Sequence, residues 1–199
     1  VGIEEHADDV AVEVRGQHAG QDADRCQGGP RLGGAQLEQP AGQQRLDLGG
    51  GAAVPDAAAA VLTPAGVEAT YGAVDAPFRL ASVTKPIVAR AAQVAVEEGA
   101  VDLDTPAGPP GATVRHLLAH TSGLGMLDDT ILAPPGARRI YSNTGFAVLA
   151  RAIEEAAGIE FGDYLTEAVL APLGMAATTL DGGAAAAGYG ATSTVADLA

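Results

Sequence analysis

Cysteine is nearly absent from this chain. The single residue Cys26 excludes an internal disulfide and cannot by itself assemble a zinc site, so it reads as an inert thiol. Basic residues are also scarce: 11 Lys and Arg stand against 25 Asp and Glu, a net charge of −14. Such a field repels a phosphate backbone or an anionic bilayer, which argues against nucleic-acid binding. No apolar run approaches the roughly 18 residues a membrane span requires. The first fifteen positions are acidic where a secretory leader would be basic and then apolar, so the expected compartment is the cytoplasm. Nothing implies a metal or an organic cofactor.

Three residue types are rare enough to invite a reason. Ten of the eleven basic residues are Arg and one is Lys85; Asn143 is the single asparagine; serine occurs only at Ser82, Ser122, Ser142 and Ser193. The length of 199 residues suits one ordinary domain with a real core. Gly 27 and Pro 12 predict many loops.

Composition changes near residue 56. Residues 1 to 62 hold no Ser, Thr, Lys, Asn, Phe, Tyr or Met but seven of the eight glutamines. Val10, Val12 and Val14 alternate like a short strand, yet nothing downstream continues the pattern. Residues 1–56 are therefore expected to be a low-complexity segment, either disordered or read from a misplaced gene start. Residues 57–199 form the expected domain. There, Ala57 to Leu62, a turn at Thr63–Gly66, and the alternation of Val67, Ala69 and Tyr71 predict a β-hairpin. Val83 to Glu98 predicts a helix closed by Gly99, and Pro86 requires it to start close to Ser82, because proline has no N–H to give in a helix interior. Shorter helices are expected over Thr113–Ala119, from near Phe146 to Gly158, and around Tyr164–Val169 before Pro172. Ser193, Thr194 and Asp197 have the spacing of a capping box, as though a helix were beginning where the chain stops.

A serine hydroxyl needs a base within hydrogen-bond reach to attack a carbonyl. Ser82 and Lys85 are three apart at a helix start, so both project from one face. The helix N-terminus favours a developing oxyanion and disfavours the charged amine, which is what a base requires. Arginine, preferred ten to one elsewhere, cannot give up its proton. Tyr141-Ser142-Asn143 precedes the third helix. Asn143 reads either as its N-cap or as an amide for a substrate carbonyl, and Tyr141 as a phenol that exchanges protons with Lys85. His120-Thr121-Ser122-Gly123-Leu124 reads as a turn closing the second helix, since no acid is placed to orient the imidazole.

Ser82-Val83-Thr84-Lys85, Tyr141-Ser142-Asn143, the His120–Leu124 turn and Pro172-Leu173-Gly174-Met175 follow one another in an order that resembles the beta-lactamase-related serine hydrolases. That family includes class C beta-lactamases, D-Ala-D-Ala carboxypeptidases of the penicillin-binding type and esterases. The resemblance covers about residues 57 to 199. It implies an α+β fold of the beta-lactamase/transpeptidase type, a sheet flanked by helices plus a helical lobe, with the active site between them. It further implies Ser82 as acylated nucleophile, Lys85 as proton acceptor, Tyr141 as partner base and Asn143 as substrate contact. The substrate would be a small ester, amide or peptide, with beta-lactams and D-Ala peptides among the possibilities.

The pattern also departs from the family. A third motif, Lys or His followed two places later by Gly on a late strand, has no counterpart among residues 57–199. That strand gives half of the oxyanion hole, and losing one such donor costs about a hundredfold to a thousandfold. The sheet is accordingly expected to be incomplete, leaving the hairpin at Ala57–Tyr71 without partners. The alternative to a serine hydrolase is a truncated, catalytically silent relative with at most a binding role.

Overall fold

The structure, a computed structural model, describes residues 57–199 in full and, within residues 1–56, the backbone of Val10–Arg15 and Gln44–Arg45. The remainder of the expected low-complexity segment lies outside the described residues. The molecule divides into two units, and each is described by itself.

The first unit holds the hairpin. β1 is Val10–Arg15, β2 Gln44–Arg45, β3 Ala57–Thr63 and β4 Gly66–Gly72. β3 and β4 pair antiparallel, with an irregularity at Val61/Leu62. Contrary to the expectation of an unpartnered hairpin, β1 lies antiparallel along β3 from Val10↔Leu62 to Arg15↔Ala57, and β2 lies parallel to β4. The sheet order is β1-β3-β4-β2. Period-two alternation buries Ala58 and Ala60 on one face of β3, where they pack with Phe78 and Val195. Val195 opens a short helix, Val195–Leu198, whose N-cap Thr194 accepts a hydrogen bond from the Asp197 N–H, as the spacing predicted.

β5, Phe78–Arg79, stands at the join between the units. In the second unit a 3-10 turn over Ala81–Val83 runs directly into α1, Thr84–Glu97. Pro86 occupies its first turn, where its missing N–H costs nothing. α1 buries Ile87, Val88, Ala91, Ala92 and Ala95. α2 is Val114–Leu118, and α3, Asn143–Ala157, buries Phe146, Leu149, Ala150 and Ile153 at the spacing of one helical face. α1 packs on α3. Each large side chain buried in these helices stabilises by about 1.5–3 kcal/mol. Gly158 ends α3 in the left-handed conformation, φ +70°. α4, Phe161–Leu165, continues as a π turn through Leu170, and Pro172 follows. Further on, α5 is Gly183–Ala186, and the strands β6, Thr179–Leu180, and β7, Ala191–Ser193, pair antiparallel.

Two local expectations need correction. Asn143 is not the cap of α3: Ser142 is, its Oγ accepting from the Gly145 N–H at 2.8 Å and donating to the Gly125 carbonyl at 2.6 Å. A hydroxyl reaches the third amide of the helix as well as an amide side chain does, and here it leaves Asn143 free for other work. The fourth helix is also not uniform, since its second half takes π rather than α hydrogen bonding.

Candidate active site

All four residues singled out in the sequence belong to the second unit. Ser82 lies exposed on the 3-10 turn, while Lys85, three positions on, is only 5% exposed. The turn is fastened from behind: the hydroxyl of buried Thr84 accepts the Ala191 N–H at 3.0 Å, and the Leu80 N–H donates to the Ala191 carbonyl at 2.9 Å. Ala81, immediately before Ser82, is held at φ +47°, a conformation that costs an alanine about 1–2 kcal/mol. Backbone strain of this kind persists where the surrounding contacts over-determine the chain.

Besides Tyr141, the Lys85 amine has three oxygen neighbours. Asn143 Oδ1 and the Gly188 carbonyl each accept from Nζ at 2.6 Å, and Ser82 Oγ lies at 3.4 Å. An ammonium has three protons to place, and Asn143, Gly188 and Ser82 can each accept one. A neutral amine would keep the two short bonds and turn its lone pair to the third position, where the Ser82 O–H can donate. The cage therefore satisfies either protonation state, and a proton can pass between Oγ and Nζ without rearranging it. Because an ammonium only donates, the Asn143 atom on Lys85 must be its oxygen, which leaves the NH2 end for another acceptor.

Tyr141 closes the group. Its ring centroid is 4.4 Å from Lys85 Nζ, within the range of a cation–π contact. Burial pushes the phenol up, but hydrogen bonding with Lys85 and then Ser82, followed by the positive charges of Lys85 and Arg139, outweighs it, so the group sits below its ordinary value of 10.0. Residues 141–143 are fixed by the start of α3, where the Asn143 and Thr144 N–H groups donate to the Met126 carbonyl at 2.9 and 3.4 Å.

Sequence reading missed two members of this arrangement. Gly188 gives Lys85 a carbonyl, and a Cβ there would meet Asn143 Cα and Cβ at 2.9 Å, so only glycine allows that approach. Its signal was the Gly188-Tyr189-Gly190 triplet, which went unremarked. His120 was read only as part of a turn. Its ring centroid lies 4.6 Å from that of Tyr141, and its Nδ1 accepts the Ser142 N–H at 3.2 Å. No group of three or more His, Cys, Asp or Glu suited to a metal occurs among the described residues. No helix of the described residues is long and apolar enough to cross a membrane.

The beta-lactamase family model matches residues 31–197. This chain belongs to the beta-lactamase family. A crystal structure of a beta-lactamase from Mycobacterium bovis is 72% identical and superposes with a TM-score of 0.72, covering 73% of this chain and 54% of that one. Penicillin-binding protein 4* of Bacillus subtilis is 33% identical over 131 residues, 49% of this chain and 29% of that protein. Esterase EstB of Burkholderia gladioli is 46% identical over 65 residues, 26% of this chain and 17% of that protein. The chain thus matches less than a third of the length of these curated relatives. A beta-lactamase/D-alanine carboxypeptidase from Yersinia pestis, 25% identical with a TM-score of 0.56, covers 69% of this chain and 57% of its own. The fold of this beta-lactamase-family chain is accordingly the α+β one of these proteins.

Proposed function

We propose that the protein is a serine hydrolase that cleaves an ester or amide through an acyl-enzyme on Ser82. The observation that carries this reading is an exposed hydroxyl 3.4 Å from a buried amine whose other contacts are two carbonyl-type acceptors. Lys85 takes the Ser82 proton as Oγ attacks the substrate carbonyl. The Ser82 N–H, in the first turn of a helical segment, is the oxyanion donor that this chain itself offers. Tyr141, close to both Lys85 and Ser82, passes a proton to the departing alcohol or amine and then takes one from the water that attacks the acyl carbonyl. Collapse of the second tetrahedral adduct expels Ser82 Oγ, which takes back the proton held by Lys85, and the acid departs. With Oδ1 engaged by Lys85, the Asn143 NH2 is the group that can donate to a carbonyl of the substrate. The beta-lactamase, carboxypeptidase and esterase names of the relatives support carbonyl substrates as a class, and loops around the cleft select among them.

Incubation of the folded chain with an activated acyl ester tests the reading. One acyl mass should map to Ser82 and disappear in Ser82→Ala. No adduct on a folded sample, or equal labelling of the Ala variant, would overturn it in favour of a silent relative.

A further inference from the structure

The proposed chemistry leaves one buried imidazole beside Tyr141 without a task. His120 is 6% exposed and holds φ +59°, in the left-handed region. Its carbonyl accepts the Ile140 N–H at 2.7 Å, and its Nδ1 accepts the Ser142 N–H at 3.2 Å. Those two bonds straddle Tyr141. Between them the imidazole lies against the Tyr141 ring at 4.6 Å, tilted by 33°, and against Phe146 of α3 at 5.2 Å. A residue that accepts on one side of Tyr141, is bonded on the other and touches the ring fixes both the position of the backbone and the direction of the phenol.

We propose that His120 is the positioning residue of Tyr141, acting as a neutral imidazole with its proton on Nε2 and its Nδ1 lone pair on the Ser142 N–H. The purpose of this role rests on the acyl-enzyme reading; the geometry does not. A proton on Nδ1 would set one donor against another and break the clamp. The charged groups that act on the ring are cations, Lys85 from α1 and Arg139 from the segment before Tyr141, while the faces against it are the Tyr141 and Phe146 rings. Burial first, then Lys85, then Arg139, holds the imidazole below its ordinary 6.5. The clamp therefore stays intact at neutral pH and opens as the pH falls through this lowered value, taking Tyr141 out of register.

The test combines readouts that need no turnover with one that does. Nitrogen NMR of histidine-labelled protein should give His120 as the Nε2–H tautomer at neutral pH, titrating below 6.5. An Nδ1–H tautomer, or titration at or above 6.5, overturns the proposal whether or not the chain is active. In His120→Phe, which keeps a ring but has no acceptor, the Tyr141 phenol, identified by difference against Tyr141→Phe, should titrate closer to 10. His120→Asn offers an amide oxygen and tolerates the left-handed backbone, so it should restore the native titration. Acylation by the activated ester should fall about tenfold or more in His120→Phe with KM within about threefold. In His120→Asn it should be near native, without the acid limb. An unmoved Tyr141 titration in His120→Phe overturns the positioning role. A moved titration with no Ser82 labelling in the unaltered chain instead sinks the hydrolase reading and leaves the clamp standing.

Discussion

The two ends of α1 each meet a tyrosine, and they treat it in opposite ways. At the N-terminal end Tyr141 stands over the Lys85 amine and beside Ser82, and its phenol is held below 10.0. At the C-terminal end the Tyr164 hydroxyl donates to Glu98 Oε2 at 2.9 Å. Burial, the hydrogen bond to that carboxylate and its negative charge push Tyr164 up to about 12. One phenol is prepared to give up its proton and the other to keep it, and the difference is the sign of the neighbour. Glu98 sits where the helix dipole disfavours a carboxylate, and the Tyr164 bond offsets that. The same side chain is thus held more acidic at one end and serves as a fastener at the other.

The largest break in this comparison is expected from Lys85→Met. It removes the only amine and leaves Asn143 Oδ1 and the Gly188 carbonyl without their donor, so Ser82 acylation should fall on the order of 10³- to 10⁴-fold. Stopped-flow acylation with the activated ester measures it, and a variant acylated at the native rate would exclude Lys85 as proton acceptor. Tyr141→Phe should cost about a hundredfold in the same assay, while Tyr164→Phe leaves it unchanged and lowers stability by about 1 kcal/mol, read from thermal melts. Gly188→Ala sharpens the N-terminal end. Its Cβ must displace Asn143, so both stability and acylation should drop, the first by about 1–3 kcal/mol as read from thermal melts.

The alkaline pH dependence is the finest test. A phenol raised when folded contributes stability that is complete below 10 and is lost as the pH climbs toward about 12; this is Tyr164. A phenol lowered when folded contributes above 10 and loses that contribution as the pH falls through its depressed value; this is Tyr141. Thermal melts between pH 8 and pH 12 on Glu98→Gln should lose the part of the Tyr164 slope that the carboxylate adds to burial, and the ultraviolet titration of Tyr164 should come down toward 10. Equal slopes in both proteins would show that Glu98 does not set the phenol. At the acid end, His120 contributes stability that is complete above 6.5 and declines as the pH falls below it. His120→Phe should flatten that decline.

Much of this site can be read from spacing. Ser82 and Lys85 share a helix start, Pro86 fixes where the helix begins, and a lone lysine among arginines signals a need for an amine that can be deprotonated. Local rules govern such pairs because three residues of helix bring them together whatever the rest of the chain does. The two readings of Asn143 stayed open in the sequence because Ser142 and Asn143 are both good caps and adjacent; in the fold Ser142 caps α3 and Asn143 meets Lys85, 58 residues away in sequence. Gly188 and His120 were passed over for the same reason. A glycine in a glycine-rich chain and a histidine in a turn have no local signature of a partner that arrives through folding. In the hairpin, the apolar run Ala57–Leu62 marked a strand but not its face; pairing and packing chose Ala58 and Ala60 as the buried side, and the strand β1 that flanks β3 comes from a segment whose composition suggested no core.

By itself the sequence determined which residue types were available for chemistry and which were adjacent along one helix: a hydroxyl, an amine, a phenol and an amide. Tertiary structure alone decided their company, placing the Asn143 oxygen and the Gly188 carbonyl on the amine and His120 against the phenol. The physical reason is range. Helix geometry acts over three or four residues, whereas the desolvation and hydrogen bonding that set a proton's position depend on groups brought from 58 and 103 residues away.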